Sequence, residues 1–71
     1  MVEGLSARNR FPGVVRSVVL DGVMAQVEIE AGPHRVTAVI TRESAERLGL
    51  SEGVEATAVV KATDVMIDRA D

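Results

Sequence analysis

Residues 24–41 read M-A-Q-V-E-I-E-A-G-P-H-R-V-T-A-V-I-T, and this stretch decides the fold. Apolar and polar residues alternate through 24–31 and again through 35–41, which is typical of strands with one buried face. Gly-Pro-His at 32–34 predicts a turn between them. The stretch therefore predicts an antiparallel hairpin. Its predicted core-facing residues are Ala25, Val27, Ile29 and Ala31 in the first strand and Val36, Ala38 and Ile40 in the second.

The residues before this hairpin predict a third strand. Residues 14–20, V-V-R-S-V-V-L, are dense in β-branched side chains and favour a strand buried on much of both faces. Asp21-Gly22 is a strong hairpin turn signal. Arg-Phe-Pro-Gly at 10–13 predicts a bend, because proline has no N–H for a central ladder. Together these elements predict a three-stranded meander.

A short helix is predicted after the meander. Thr41 is a good N-cap, Glu43 favours the first helical turn, and Gly49 suits the position after the helix. Ala45 and Leu48 share one face, so this two-turn helix is expected to plug one end of a barrel.

The remaining residues complete the predicted fold. Residues 54–61 favour a strand that ends at Lys61, the only lysine, and residues 65–67 favour a second short strand after a turn. Three strands, a helix and two strands is the order of a small five-stranded OB-type barrel. We therefore expect an all-β fold with one short helix and Greek-key closure, which removes exposed sheet edges.

Length and composition indicate a single domain, residues 1–71, that associates with other copies. A chain of 71 residues builds a core worth only a few kcal/mol. Phe11 is the only aromatic residue and there is no cysteine for a disulfide, yet 46% of the residues are hydrophobic. We therefore expect a homo-oligomer whose core continues across subunits, with residues 1–4 disordered and 69–71 a frayed tail.

Composition also argues against several functions. The net charge of −3 gives no electrostatic footprint for nucleic acid, and no apolar run is long enough for a membrane span. The first residues lack the apolar run of a signal peptide, so we expect a cytoplasmic protein. With one histidine, His34, and no cysteine, we expect no directly ligated metal. His34 is also the only possible base for the serines, so we expect no enzyme activity.

Hydrogen-bond donors without nearby acceptors gather in three fragments. These are Ser6, Ala7 and Arg8; Thr41 and Ser44; and Lys61, Ala62 and Thr63. An arginine and a lysine can balance a dianion, while hydroxyl and amide donors satisfy its oxygens. Each fragment also has a purely structural interpretation. Lys61 could be a solvated charge at the end of a strand, Ser44 could cap the helix locally, and Arg8 could be an ordinary surface residue on a sheet edge.

Three motifs resemble the molbindins, small cytoplasmic molybdate-binding proteins built from a single Mop domain. They are L-S-A-R-N at 5–9, T-A-V-I-T-R-E-S-A-E-R-L-G-L at 37–50 and V-V-K-A-T-D-V-M-I at 59–67. The resemblance covers essentially the whole chain. It implies an OB-type barrel assembled as a hexamer, a trimer of dimers, that binds molybdate or tungstate at subunit interfaces and takes no organic cofactor.

The resemblance also implies which residues bind the oxyanion. They would be Ser6, the Ala7 amide, Arg8, Thr41, Ser44, Lys61 and the Ala62 amide, with Thr63 as a further hydroxyl. A second site near the threefold axis is assigned to the turn that contains Val18, Val19, Leu20 and Gly22. The implied role is molybdenum storage or homeostasis. The alternatives are a structural or protein-interaction barrel without an oxyanion, and a nucleic-acid-binding OB module.

Overall fold

Residues 8–70 are described by the structure, a computed structural model. Its elements are β1 (Asn9–Asp21), β2 (Met24–Ala31), β3 (His34–Thr41), α1 (Arg42–Arg47), β4 (Glu55–Val60) and a 3-10 turn at Ala62–Asp64. The strands form one antiparallel sheet in the order β3-β2-β1-β4. Predictions for Ser6 and Ala7, for disorder at 1–4 and for residue 71 fall outside the described residues; 69 and 70 are exposed and lie in no strand or helix.

The three-stranded meander is confirmed. Asp21 pairs with Met24 across the first turn, and Ala31 pairs with His34 across the second. Gly22 and Gly32 occupy the first central position of these turns at φ 61° and 63°, which is the glycine preference of type II′ hairpins. The second turn is therefore Gly-Pro alone, and His34 begins β3 instead of belonging to the turn.

The core lies on the predicted inner face. Val15, Val27, Ile29 and Ala58 form the buried cluster, and Val18, Val36, Ile40, Leu50 and Ala56 pack against it. The alternation in β2 and β3 places its apolar residues inward as expected. Among the described residues, however, eleven large hydrophobic side chains are exposed. A single chain therefore leaves much apolar surface uncovered.

Residues 10–13, predicted as a bend before the first strand, instead belong to that strand. β1 continues through this segment and pairs with β4 from Asn9 to Val14, with Pro12 opposite Thr57. Its pairing with β2 begins only at Val14, so the first half of β1 has a partner on one side, and an edge tolerates the missing proline N–H. The irregularity falls later, between Val15 and Ser17, where the register with β2 shifts.

The fifth strand predicted at residues 65–67 does not form within the described chain, so barrel closure is not seen. This segment pairs with no other strand, and Met66 and Ile67 are 91% and 93% exposed. β3 and β4 are the two edges of the sheet. The radius of gyration, 13.1 Å, is about that of a folded domain of 100 residues, which fits an open sheet.

The helix forms where it was predicted, and its packing is partly as expected. Ala45 is buried, but Leu48, expected on the same inward face, is 68% exposed. A backbone bond from Arg42 N to Val23 O of 2.7 Å ties the helix start to the β1–β2 turn. No helix in residues 8–70 is long and apolar enough to cross a membrane.

Candidate functional site

Arg8 and Lys61 flank the same end of the sheet. Arg8 directly precedes β1 and Lys61 directly follows β4, and the register pairs their neighbours, Asn9 and Val60. Asn9 Nδ2 also donates a 3.2 Å hydrogen bond to Val60 O, which holds the two strand ends together. Asn9 was not among the predicted site residues; its place beside Arg8 was the only sequence signal.

The residues after Lys61 form a tight turn that presents amides. Asp64 N donates to Lys61 O at 2.9 Å, and Ala62 and Thr63 lie inside this turn, exposed. Amide N–H groups in a first helical turn have no intrahelical acceptor. The Lys61 corner therefore combines an ammonium, two amides and the Thr63 hydroxyl on one exposed turn.

Three arginines elsewhere in the fold already have a carboxylate partner. Arg16, Arg35 and Arg42 each pair with a carboxylate, of Glu30, Glu28 and Glu46 respectively. Within residues 8–70, neither Arg8 nor Lys61 forms an ion pair. Two cations therefore stand at adjacent strand ends without an ion pair in the described chain, and an anion is the ligand that such a pair attracts.

Thr41 and Ser44 form a second polar cluster around the start of α1. Ser44 N donates to Thr41 Oγ1 at 3.1 Å, which makes Thr41 the N-cap, as predicted. Thr41 Oγ1 in turn donates to Ser44 Oγ at 2.8 Å, and Arg47 Nη2 reaches Ser44 Oγ at 3.5 Å. Both hydroxyls are therefore engaged locally. Ser44 still has its hydroxyl proton to donate to a ligand, whereas Thr41 must first give up its bond to Ser44.

The two clusters lie at opposite ends of β1. Thr41 pairs with Met24, which pairs with Asp21 at the last position of β1, whereas Arg8 precedes the first. Twelve residue steps of about 3.3 Å give a contour length of roughly 40 Å, and the fold extends 35 Å along its longest axis. Donors to one anion must all lie about 3 Å from its oxygens. One chain therefore does not bring the two clusters together.

The residues predicted for the second site are spread over both faces. Val18 packs against the core while Val19 is exposed, as alternate strand residues must be. Leu20 and Gly22 are exposed next to the first turn. Arg42 Nη1 lies 3.5 Å from Gly22 O, so a basic residue reaches this turn from the helix. Sequence reasoning missed it because the two are twenty residues apart.

Comparison with known proteins places these features in a family. The sequence matches the TOBE domain over residues 5–67. Molybdenum-pterin-binding protein 2 of Clostridium pasteurianum is 48% identical over 64 residues, which cover 89% of this chain and 94% of that protein. The solved molybdate-binding protein of Sporomusa ovata is 33% identical, with a TM-score of 0.85 over 90% of this chain and 96% of that one.

A ligand-bound structure is also similar. The cytoplasmic molybdate-binding protein ModG, solved with molybdate bound, is 35% identical, with a TM-score of 0.77 over 87% of this chain and 46% of that chain. The family match over residues 5–67 spans the sheet, the helix and the Lys61 turn. The chain therefore belongs to the TOBE domain family and, within it, to the molybdenum-pterin-binding proteins.

Proposed function

We propose that this protein binds molybdate, or the similar tungstate, without catalysing a reaction. The observation that carries the proposal is the placement of Arg8 and Lys61 at adjacent strand ends, since the β1–β4 register pairs their neighbours Asn9 and Val60 and neither cation forms an ion pair within residues 8–70. Molybdate-binding relatives of the same fold support it. A dianion between an arginine and a lysine neutralises both charges and accepts their hydrogen bonds.

The chemistry of the donor set supports selectivity for a fully deprotonated oxyanion. Arg8, Lys61 and the turn amides can only donate hydrogen bonds. Molybdate accepts and does not donate near neutral pH, whereas monohydrogen phosphate brings a proton for which these donors provide no acceptor. An unsatisfied buried polar group costs about 1–3 kcal/mol. We therefore expect roughly tenfold to a hundredfold preference for molybdate over phosphate.

The ligand in this proposal is the free oxyanion, although the relatives' name includes a pterin. A flat pterin ring is best held by stacking on aromatic side chains. The only aromatic residue of the chain is Phe11, which is 40% exposed and stands opposite Ala58 on the inner face. The Lys61 corner provides a charge and several hydrogen-bond donors for an oxyanion, whereas Phe11 provides only one ring for stacking a pterin. The donor set therefore favours the oxyanion.

The complete site is proposed to form between subunits. The Arg8–Lys61 pair and the Thr41–Ser44 cluster stand at opposite ends of β1, so one anion can contact both only if two copies supply them. Eleven exposed large hydrophobic residues support association. We propose the hexamer, a trimer of dimers, that the family resemblance implies, with the barrel closed in the assembly. Ser6 and the Ala7 amide would complete the shell beside Arg8.

A second oxyanion site is proposed at the first turn, near a threefold axis. Val18, Val19, Leu20 and Gly22 supply main-chain groups there, and Arg42 adds a guanidinium next to Gly22. The cellular role we propose is molybdenum storage or homeostasis in the cytoplasm, in line with the description of ModG as cytoplasmic.

A thermal-shift series tests this proposal. Molybdate, tungstate, sulfate and phosphate are each titrated at fixed salt and protein concentration. A ligand that binds only the folded oligomer raises the unfolding midpoint with concentration, so molybdate and tungstate should raise it and phosphate should have little effect. If no oxyanion shifts the midpoint, the protein is better explained as a structural or protein-interaction barrel. Retention on heparin at moderate salt would instead indicate nucleic-acid binding.

A further inference from the structure

Arg47, the last residue of α1, turns back toward the hydroxyl cluster at the start of that helix. Its Nη2 atom lies 3.5 Å from Ser44 Oγ, three residues earlier, at the outer limit of hydrogen-bond distance. Thr41 Oγ1 donates to the same oxygen at 2.8 Å. Ser44 Oγ therefore has two donors directed at it, one from the N-cap and one from the last helical residue.

Helical spacing alone would give Arg47 a different partner. A glutamate four residues before a basic residue is well placed for an ion pair on a helix surface, and Glu43 and Arg47 have this spacing. Arg42 and Glu46, also four residues apart, do form such a pair. Arg47 forms no ion pair within residues 8–70. Its guanidinium contacts the Ser44 hydroxyl although a carboxylate lies one helical turn away.

We propose that Arg47 is a positioning residue that makes Ser44 a donor-only group in the oxyanion site. This inference rests on the proposed function, in which Ser44 contacts the anion. A hydroxyl group has one proton and two lone pairs. Thr41 and Arg47 occupy both lone pairs of Ser44 Oγ, so Ser44 presents only its proton to a ligand. Arg47 thus acts on the anion through Ser44.

A donor-only serine contributes to selectivity against protonated oxyanions. A serine without other partners can accept a hydrogen bond as well as donate one, so it would satisfy the proton of monohydrogen phosphate. With both lone pairs occupied, Ser44 offers that proton no acceptor. Arg8 and Lys61 need no such arrangement, because guanidinium and ammonium groups contain no acceptor. Arg47 therefore gives the Ser44 hydroxyl the donor character that these cations have by their chemistry.

The charge of Arg47 has a separate effect that can be distinguished from this one. A positive charge near the anion attracts every dianion of similar size alike. It therefore does not separate phosphate from sulfate, whereas an occupied acceptor does, because only phosphate carries a proton at mildly alkaline pH. A comparison of these two dianions isolates the positioning role of Arg47 from its charge.

Competition calorimetry on the assembled protein tests the proposal. Sulfate and phosphate each displace molybdate, at fixed salt and mildly alkaline pH, from the parent and from Arg47→Met, which keeps an aliphatic side chain and removes the donors. Arg47 is exposed, so the variant should fold. The proposal expects phosphate to gain about twofold to tenfold in affinity relative to sulfate, the equivalent of one neutral hydrogen bond. Arg69→Met, at another exposed arginine, is the charge-matched control and should leave this ratio unchanged.

A double-mutant cycle shows whether Arg47 acts through Ser44. Ser44→Ala removes the hydroxyl oxygen and keeps the N-cap, because Thr41 Oγ1 accepts from the backbone amide of residue 44. In this background, Arg47→Met should leave the phosphate-to-sulfate ratio unchanged. An equal change with and without the serine would overturn the proposal, because Arg47 would then affect phosphate by another route.

The remaining outcomes separate this inference from the proposed function. A parent that binds molybdate, with the same phosphate-to-sulfate ratio in Arg47→Met, keeps oxyanion binding and rejects the positioning role. Weaker binding of all three anions by the same factor in Arg47→Met also rejects it, because charge or local structure would then account for the change. A parent that binds no oxyanion rejects the proposed function and this inference together.

Discussion

The two ends of β1 carry polar clusters that are satisfied in different ways. At the end next to α1, the Thr41 and Ser44 hydroxyls bond to each other and cap the helix. At the other end, Arg8 and Lys61 stand at adjacent strand ends with no ion pair inside residues 8–70. The hydroxyl pair has its hydrogen bonds satisfied without a ligand. Two cations at adjacent strand ends repel each other unless an anion binds between them.

This difference indicates how affinity is divided between the ends. Charged hydrogen bonds contribute about 1.5–3 kcal/mol, and neutral ones about 0.5–1.5 kcal/mol. The cationic end should therefore supply most of the binding free energy. The hydroxyl end must first give up its internal bond, so its net contribution should be smaller.

Removal of the lysine charge should have the largest effect. We expect Lys61→Ala to weaken molybdate binding roughly tenfold to 150-fold, the equivalent of one charge-assisted interaction, and Arg8→Ala to do the same. Isothermal calorimetry at fixed salt measures both. Arg69→Ala, an exposed cation beyond the Lys61 turn, is the matched control and should bind as the parent does. Parent-like binding by both site variants would show that the cationic end is not the site.

Between the two ends, Gly13 directly precedes Val14, the residue at which β1 pairs with both β4 and β2. A Cβ at Gly13 would lie 2.2 Å from Glu30 O, and backbone cannot yield as a flexible side chain does. We expect Gly13→Ala to lower the free energy of unfolding by about 1–3 kcal/mol, the range for overpacking. Urea unfolding at constant protein concentration measures it. Ser17→Ala, four residues later in β1, is the control. If both variants lose the same free energy of unfolding, the close approach of residue 13 to Glu30 is not the cause of the loss.

At the hydroxyl end, Thr41→Val should reveal whether the cap also binds the ligand. Loss of the N-cap costs typically about 1 kcal/mol of stability, whereas Thr41→Ser keeps the hydroxyl and should cost little. If Thr41 also donates to the oxyanion, the valine variant should bind molybdate up to about tenfold more weakly. Reduced stability with unchanged affinity would assign this end a structural role alone.

Much of the fold could be predicted because its signals are local. The alternation in β2 and β3 fixes their buried faces, and the glycine turns at 22 and 32 fix their register. The course of β1 could not be predicted, because Pro12 is tolerated only where one neighbour is absent, and that depends on the stagger of β4 against β2. Strand formation at 65–67 failed as a prediction because it requires a partner, which the local sequence does not specify.

The candidate site could be proposed residue by residue from the sequence, but the relative positions of its residues could not. The residue types at Arg8, Thr41, Ser44 and Lys61 indicated donors, and their spacing resembled a known family. Only the register between Asn9 and Val60 reveals that Arg8 and Lys61 are neighbours, and only the meander places Thr41 at the opposite end. Arg42 escaped prediction because its contact with Gly22 crosses from the helix to a turn.

The smallest expected effect concerns Glu30, which lies midway between the two ends. A hydrogen bond and the charge of Arg16 hold its pKa below the ordinary value of 4.5. Because the folded-state pKa is the lower one, the unfolded chain takes up the proton first as the pH falls. The contribution of Glu30 to stability is therefore present above about pH 4.5 and is lost as the pH drops through the folded-state pKa.

This pair is exposed to solvent, so its effect should be slight and should weaken with salt. We expect Glu30→Gln to reduce slightly the loss of melting temperature between pH 7 and pH 3, with Glu52→Gln, an exposed carboxylate, as the control. Melting curves at each pH, recorded with and without molybdate, measure this change in melting temperature. Since Glu30 belongs to neither cluster, the variant should leave the molybdate shift at pH 7 unchanged. A change in that shift would mean that charge at the centre of β1 influences the cationic end, and that the two ends are not independent.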